Sequence, residues 1–310
     1  MNKLLTIAGV ALAASLLVMS ATPNAEPVNA VTTTASAAQQ DSQAKNPVWV
    51  IESESNRTYL LGSIHVLRDQ DYPLPKAFQA AYDDAEQLVM ELDFTDLDAV
   101  STFSTTRRLA MLPSSESLRS VMGEANYSLA DTAAKEIGVD LEQFARVDPW
   151  YAAMTITQLQ LGRLGFKAEN GIELHFAKQA KRDAKSGSGL ETIEEQLGIL
   201  DALPIESQSQ FLLESLVDMA ELKEEGEHMI KAWKSGNAEQ LHELFAEDLE
   251  NNPDLHDALL IKRNMAWLPR IIDMTSQKDD YLVVVGALHL VGNEGVVELL
   301  RERGYTVRQL

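Results

Sequence analysis

Hydrophobic and polar positions follow strand-like and helix-like patterns in turn from Pro47 onward. VWVIES (48–53) and RTYLLGSIHVL (57–67) are rich in β-branched and aromatic residues and are separated by a polar turn, which predicts a β-hairpin. PLPKAFQAAYDDA (73–85) repeats apolar residues three and four apart, as a helix does, and QLVMELDF (87–94) is typical of a buried strand. A strand, a helix and a strand over this length predict a βαβ unit whose two strands pair in parallel.

Residues 97–274 carry mainly helical periodicity, and the C-terminal end returns to alternating elements. There, DYLVVVGALHL (280–290) is predicted to be a strand, NEGVVELLRERG a helix and YTVRQL a last strand. Within the helical part, KSGSGLE (185–191) is predicted to be a flexible turn, and GLETIEEQ (189–196) can hold a further strand. We therefore expect an α/β fold with a central mixed, largely parallel sheet built from both ends of the chain. A large helical insertion at about residues 97–274 separates the two ends.

The N-terminal residues have the features of an export signal. Lys3 precedes an apolar run, Leu4 to Met19, and small residues suited to cleavage follow it. We expect a signal peptide at 1–25, a disordered linker at 26–46 and a folded domain at 47–310. This organisation predicts a periplasmic or secreted protein, and the alternative is a chain anchored to the membrane by an uncleaved leader.

Composition limits the classes of partner and of site. The chain has 47 acidic against 26 basic side chains and a net charge of −21, which speaks against binding nucleic acid or an anionic membrane surface. We expect no nucleic-acid partner, and no membrane contact once the leader is removed. The absence of cysteine excludes disulfides and thiolate metal ligands.

Two histidines stand out because each follows an apolar strand and comes three residues after a glycine. Gly62 precedes His65, and Gly286 precedes His289, in two similar segments at opposite ends of the domain. Ligands of open α/β sheets bind beyond the carboxyl ends of strands, where glycine allows a sharp turn or a close approach. We expect the two histidines to share one site, whereas the other four are expected to be ordinary surface histidines.

Glu91 is the third candidate because it lies within or at the end of the buried strand QLVMELDF. A buried carboxylate requires a compensating partner, such as a metal, an arginine or a histidine. Two histidines and one carboxylate are a common ligand set for a catalytic divalent metal. The alternative use of the same residues is metal-free, with a histidine as general base oriented by the glutamate. Arg263 lies in an amphipathic helical segment, where it is either a clamp for substrate or a surface cation.

Four blocks of sequence, in order, resemble the TraB/GumN family, which is related to the Tiki metalloproteases. They are LLGSIHVLRDQDYPLPKAFQAAYDDAEQLVMELD, GIELHFAKQAKRDAKSGSGLETIEEQL, IKRNMAWLPRII and VVVGALHLVGNEGVVELLRERGYTV. The resemblance runs from about Trp49 to the C-terminus. It implies an α/β core with a helical insertion.

The resemblance also implies which residues form the site. Both Gly-x-x-His motifs and Glu91 match the family pattern, and a glutamate, an arginine and an asparagine are carried over as substrate-binding residues, namely Glu191, Arg263 and Asn264. One departure is Glu173, which stands where the pattern leads us to expect an aspartate, and it receives no role. The Tiki branch implies a divalent metal, and we expect manganese, cobalt or zinc.

The leading hypothesis is an exported metal-dependent hydrolase that acts on a peptide or protein substrate. His65, His289 and Glu91 hold the metal in this hypothesis, Glu91 and Arg263 are catalytic, and Arg263 orients the substrate or stabilises an oxyanion. One alternative is a non-catalytic periplasmic protein that binds or sequesters peptides in the same cleft. Another is a metal-free, esterase-like hydrolase that uses the histidines as bases.

Overall fold

The computed structural model describes residues 45–310, so the predicted signal peptide (1–25) and the predicted linker up to residue 44 lie outside the described residues. Asn46, at the end of that linker, is joined to the last strand of the chain. Its backbone amide donates to the carbonyl oxygen of Leu310 at 2.7 Å. In the described part of the chain, no helix is both long enough and apolar enough to cross a membrane.

A six-stranded mixed sheet forms the centre of the described chain, with the spatial order β4-β3-β5-β2-β1-β6. Both ends of the chain contribute strands to it. The strands are β1 (Val48–Glu52), β2 (Arg57–Ser63), β3 (Gln87–Met90), β4 (Ser186–Gly189), β5 (Tyr281–Gly286) and β6 (Val307–Gln309).

The strand pairing confirms the hairpin and the mixed, largely parallel sheet, and it corrects one predicted pair. β1 and β2 are antiparallel neighbours, and β6 adds antiparallel to β1. β2 and β3 do not pair with each other, because β5 lies between them and is parallel to both. The apolar run of β5, with Leu282 to Val285 wholly buried, suits this central position, since a strand covered on both faces needs apolar side chains on both.

Helices connect the strands and cover the sheet, and most of them belong to the segment between β3 and β5. A helix joins β2 to β3, and another lies between β5 and β6. A π-helical turn, Asp257–Ile261, leads directly into the helix that carries Arg263. The helices are α1 (Lys76–Asp84), α2 (Ala99–Ala110), α3 (Leu118–Glu136), α4 (Pro149–Arg163), α5 (Ile172–Asp183), α6 (Ile193–Asp201), α7 (Ile205–Ser215), α8 (Met219–Lys234), α9 (Ala238–Asn251), α10 (Pro253–His256), α11 (Lys262–Met274) and α12 (Val296–Glu302).

The prediction of a flexible turn at 185–191 is wrong, because Ser186–Gly189 forms the edge strand β4. Glycine and serine have little tendency to form strands. The segment is held instead by parallel pairing with β3 and by a loop that packs closely against it. A Cβ atom at Gly187 would overlap the side chain of Thr95, so this strand requires glycine for a reason that its periodicity does not reveal.

The register of the parallel strands brings both Gly-x-x-His segments to one edge of the sheet. Gly62 of β2 is opposite Val285 of β5, and the next pair is Ser63 with Gly286. β3 ends beside them, where Met90 is opposite Val284. The residues that follow these three strands therefore meet in space, although two of the strands come from opposite ends of the domain.

Candidate active site

The side chains of His65, Glu91 and His289 converge on one buried point beyond the ends of β2, β3 and β5. A Cβ atom placed on Gly286 would lie 3.3 Å from Glu91 Oε1, 3.5 Å from His65 Nε2 and 3.5 Å from His289 Cδ2. All three side chains are buried, with between 1% and 7% of each residue exposed. The expected meeting of the two histidines with Glu91 is therefore present in the structure.

His65 is paired with a carboxylate from the insertion. Its Nδ1 lies 2.8 Å from Oε1 of Glu173, at the start of α5, and the same oxygen accepts a hydrogen bond from the Ser63 hydroxyl. Burial by itself lowers the pKa of His65, but the carboxylates of Glu173 and Glu91 together outweigh it, and the pKa is raised above its ordinary value. For Glu173, burial raises the pKa of the carboxyl, but the charge of His65 and hydrogen bonding together lower it by more, and the net direction is down.

His289 has neutral and cationic partners instead. Its Nδ1 lies 2.7 Å from Oδ1 of Asn264, and its Nε2 lies 3.0 Å from Nη1 of Arg263. A guanidinium can only donate, so His289 Nε2 must accept, and Nδ1–H then donates to the amide oxygen. Burial lowers the pKa of His289 well below its usual value, and the positive charge of Arg263 lowers the pKa further. This imidazole is therefore neutral, with the proton on Nδ1.

Arg263 provides a buried positive charge at this site. One of its nitrogens, Nη2, lies 2.5 Å from Glu91 Oε2 and 2.5 Å from Glu191 Oε1, and Nη1 also donates to the carbonyl oxygen of Leu259 at 3.2 Å. The guanidinium lies over the ring of Trp267, at 4.6 Å from its centroid. Burial lowers the pKa of Arg263, but the two carboxylates raise it by more, so the arginine stays charged.

Glu91 is held by groups on both of its oxygens. Oε1 accepts from the backbone N–H of Gly286 at 2.7 Å, which joins the end of β3 to the second motif. Oε2 accepts from Arg263 and from Nε2 of Gln196 at 3.3 Å. Gln196 Nε2 also donates to Glu191 at 2.7 Å, so it joins the two carboxylates. The compensation that a buried Glu91 requires is therefore an arginine, an amide and a backbone N–H.

The donor chemistry at this point suits a divalent metal, although the observed arrangement does not form a ligand set. Among residues 45–310, no three histidine, aspartate or glutamate side chains are arranged to hold a metal ion. In the observed arrangement, Arg263 takes the Nε2 lone pair of His289 and one oxygen of Glu91. Both histidines nevertheless have Nδ1 engaged by a neighbouring side chain, as metal-ligating histidines usually do.

A family model described as the TraB/PrgY/gumN family matches residues 47–309. The chain belongs to the TraB/PrgY/gumN family. The match covers every described strand and helix, so the resemblance that the motifs carry is confirmed.

Relatives of this TraB/PrgY/gumN chain include bacterial and animal proteins. An uncharacterized protein YbaP of Shigella flexneri is 28% identical over 247 residues, which cover 80% of this chain and 89% of the relative. Metalloprotease TIKI2 of Xenopus tropicalis is 24% identical over 304 residues, 80% of this chain and 57% of the relative. Metalloprotease TIKI1 of Danio rerio is 22% identical over 315 residues, which cover 84% of this chain and 62% of the relative. No solved structure matches the chain.

The other residues expected at the TraB/PrgY/gumN site contact Arg263 or His289. Glu191 pairs with Arg263, and Asn264 fixes the tautomer of His289 and donates from Nδ2 to the Glu294 carbonyl at 2.8 Å. Gly62 and Gly286 both occupy crowded positions. A Cβ at Gly62 would come within 3.1 Å of Ala287, and one at Gly286 would enter the site.

Sequence reasoning missed Glu173 and Gln196 as members of this site. Both lie in helices, where periodicity shows only that a residue faces inward, and each contacts a candidate residue more than 100 positions earlier in the chain, His65 for Glu173 and Glu91 for Gln196. A signal for Glu173 did exist, because a carboxylate on the buried face of α5 next to Ile172 and Leu174 requires a partner.

Proposed function

We propose that this chain is a metal-dependent hydrolase that acts on peptides. The observation that carries the proposal is the convergence of both imidazoles and Glu91 on one buried point, with Nδ1 of each ring within 2.8 Å of a neighbouring side-chain oxygen. The family relatives named metalloproteases support the assignment of metal use and of peptide substrates. The signal-like N-terminus supports export to the periplasm or beyond, which we include in the proposal.

His65, His289 and Glu91 are the residues that would hold the metal. When bound, such a metal lowers the pKa of water and polarises a carbonyl group. Glu173 lies against Nδ1 of His65, and Asn264 keeps the proton of His289 on Nδ1, so Nε2 is the nitrogen of each ring that would bind the metal.

Arg263 must leave His289 Nε2 before that nitrogen can accept any other partner. It lies at the start of α11 directly after the π-helical turn, and π-bulges are frequent at functional sites. Glu191 remains a partner for the guanidinium at the edge of the site. Released from His289, Arg263 can bind a substrate carboxylate or an oxyanion with its parallel donors.

A second function is favoured by the His65–Glu173 pair. A histidine whose Nδ1 faces a buried carboxylate can serve as a general base without a metal. In that case, Arg263 would stabilise the oxyanion once a donor is released from His289, and the chain would be a metal-free hydrolase. A protein that only binds peptides would use the same side chains without turnover.

The test is hydrolysis of a mixed peptide pool by the full chain, followed by mass spectrometry. We expect cleavage with manganese, cobalt or zinc, loss of cleavage in a chelator, and a rate at least about 100-fold lower for Glu91→Gln. His228→Ala is the matched control, because this histidine is exposed on α8. Cleavage that persists in chelator and falls in Glu173→Gln would favour the metal-free mechanism. Binding of peptides without cleavage under every condition would refute both hydrolase readings.

A further inference from the structure

A cleft of about 760 Å³ opens directly beside the candidate site. Its inner end is formed by Glu191, Arg263 and Trp267, which are the residues that surround His289 and Glu91. Its walls come from α6 on one side and from the segment α10 to α11 on the other. The volume lies within the range of pockets that bind compact ligands, roughly 300–1,000 Å³. A molecule in this cleft would therefore lie against the charged groups of the site.

The lining of the cleft combines an apolar wall with an acidic rim. Trp267 and Leu190 form its buried apolar part together with residues from the α6–α7 connection. Carboxylates outnumber cations among the lining residues. The carboxylates are Glu191, Glu194, Glu195, Asp254 and Asp257, and the cations are Lys262 and Arg263.

Both lining cations are already neutralised within the chain. Lys262 pairs with Asp257 at 2.6 Å, and Arg263 pairs with Glu91 and Glu191. Glu194 forms an exposed pair with Arg108 at 2.9 Å, which is a weak interaction that water screens. Among the described contacts, the carboxylate of Asp254 accepts only a hydrogen bond from the Ser207 hydroxyl, at 2.6 Å. The balance of charge at the rim is negative, so it attracts a cationic group and repels an anionic one.

We infer that this cleft binds a segment of a peptide in which an apolar side chain is next to lysine or arginine. The apolar side chain lies against Leu190 and Trp267, and the cationic neighbour faces the rim at Asp254 and Glu194. The inference rests on the proposed function in one respect, because it takes that peptide to be the substrate. Binding in the cleft itself requires neither metal nor turnover.

Gly198 offers a direct way to fill the cleft. It lies on α6 among the lining residues, and a Cβ atom added there meets no other atom within 4 Å. Gly198→Phe therefore places a ring in the cleft without forcing the backbone to move. Gly162→Phe is the matched control, because Gly162 also lies in a helix, is outside the cleft lining and has the same free space at its Cβ. Gly198→Ala separates the effect of bulk from that of losing glycine in a helix.

The experiment measures fluorescence anisotropy of short fluorescein-labelled peptides with the full chain in a metal chelator. The probes are a peptide with leucine, phenylalanine and lysine, the same peptide with glutamate in place of lysine, and the same peptide with serine in place of the apolar residues. We expect the first to bind at least about tenfold more tightly than the other two. Gly198→Phe should weaken it by about tenfold or more, and Gly162→Phe and Gly198→Ala should leave it unchanged.

The results separate this inference from the proposed function. Tight binding of the lysine peptide that Gly198→Phe abolishes supports the inference even if no metal produces cleavage. Equal binding of the lysine and glutamate peptides, or binding unaffected by Gly198→Phe, overturns the inference even if cleavage is observed.

Discussion

The two Gly-x-x-His segments, residues 62–65 and 286–289, occupy equivalent places in the fold but have different neighbours. Each follows a parallel strand, and the two strands are paired, so both histidines face the same buried point. The first histidine faces the carboxylate of Glu173. The second lies between the amide of Asn264 and the guanidinium of Arg263.

This difference shows that the neighbours, and not the motif, determine the charge of each imidazole. The pKa of His65 is raised, because the carboxylates of Glu173 and Glu91 together outweigh burial. The pKa of His289 is lowered by burial and by Arg263. Two titratable groups whose pKa values are shifted in opposite directions within one site are typical of an acid–base assignment. The shared motif therefore supplies the position, and the insertion supplies the chemistry.

Removal of Arg263, the cationic partner of His289, should have the largest effect on stability. Arg263→Ala leaves the buried carboxylates of Glu91 and Glu191 without their cation, and breaking a buried pair in this way costs about 3–5 kcal/mol. The free energy of unfolding in urea measures the loss. Arg119→Ala is the control, because Arg119 forms an exposed ion pair with Glu124 and its removal should cost much less stability. An equal loss of unfolding free energy in the two variants would show that Arg263 does not neutralise the buried carboxylates.

The two motif glycines, Gly62 and Gly286, should lose different properties when each is replaced by alanine. Gly62→Ala brings a Cβ within 3.1 Å of two atoms of Ala287 on the neighbouring segment, and overpacking of this kind costs about 1–3 kcal/mol. In Gly286→Ala, the methyl group instead points at His65 Nε2 and Glu91 Oε1, so we expect a smaller loss of stability and a larger loss of metal binding. Thermal unfolding measures the loss of stability in each variant, and calorimetric titration measures the loss of metal binding. Equal losses of the same property in both variants would contradict the expected contrast.

Substitution of the two side chains that face the histidine Nδ1 atoms should reverse the direction of the pKa shifts of His65 and His289, with small effects on the fold. Glu173→Gln should lower the pKa of His65, and Asn264→Asp should raise the pKa of His289. NMR titration of histidine-labelled, metal-free protein reads both values, and His228 is an internal reference. Unchanged pKa values in both variants would mean that the side chains at Nδ1 do not determine the charge.

Loss of the His65–Glu173 pair should also appear in the dependence of stability on pH. The folded-state pKa of His65 is raised, so its contribution is full below its ordinary value of 6.5 and is lost as the pH rises through the raised value. The folded-state pKa of Glu173 is lowered, so its contribution is full above its ordinary value of 4.5 and is lost as the pH falls through the lowered value. The stability difference between the wild type and Glu173→Gln should therefore be greatest between pH 4.5 and 6.5. Urea unfolding across that range measures it, and a difference independent of pH would contradict the pairing.

Sequence patterns predicted the meeting of the two histidines with Glu91, because strand ends in a parallel sheet lie at one edge. They predicted neither the role of Glu173 nor the burial of Arg263. Each of these depends on a partner far along the chain, which local periodicity cannot identify. Pairing of β2 with β3 was expected from their proximity in sequence, but the more apolar β5 takes the central place between them. The strand at Ser186–Gly189 was missed because close packing, and not propensity, holds it.

The most direct test of the account is a calorimetric titration of Co²⁺ or Mn²⁺ into the metal-free full chain and three histidine variants. We predict one divalent ion for each wild-type and His228→Ala chain, and binding at least about tenfold weaker in both His65→Ala and His289→Ala. That outcome would show that the two motifs supply a single site. No binding by the wild type at micromolar concentration, or equal binding by all four proteins, would contradict it.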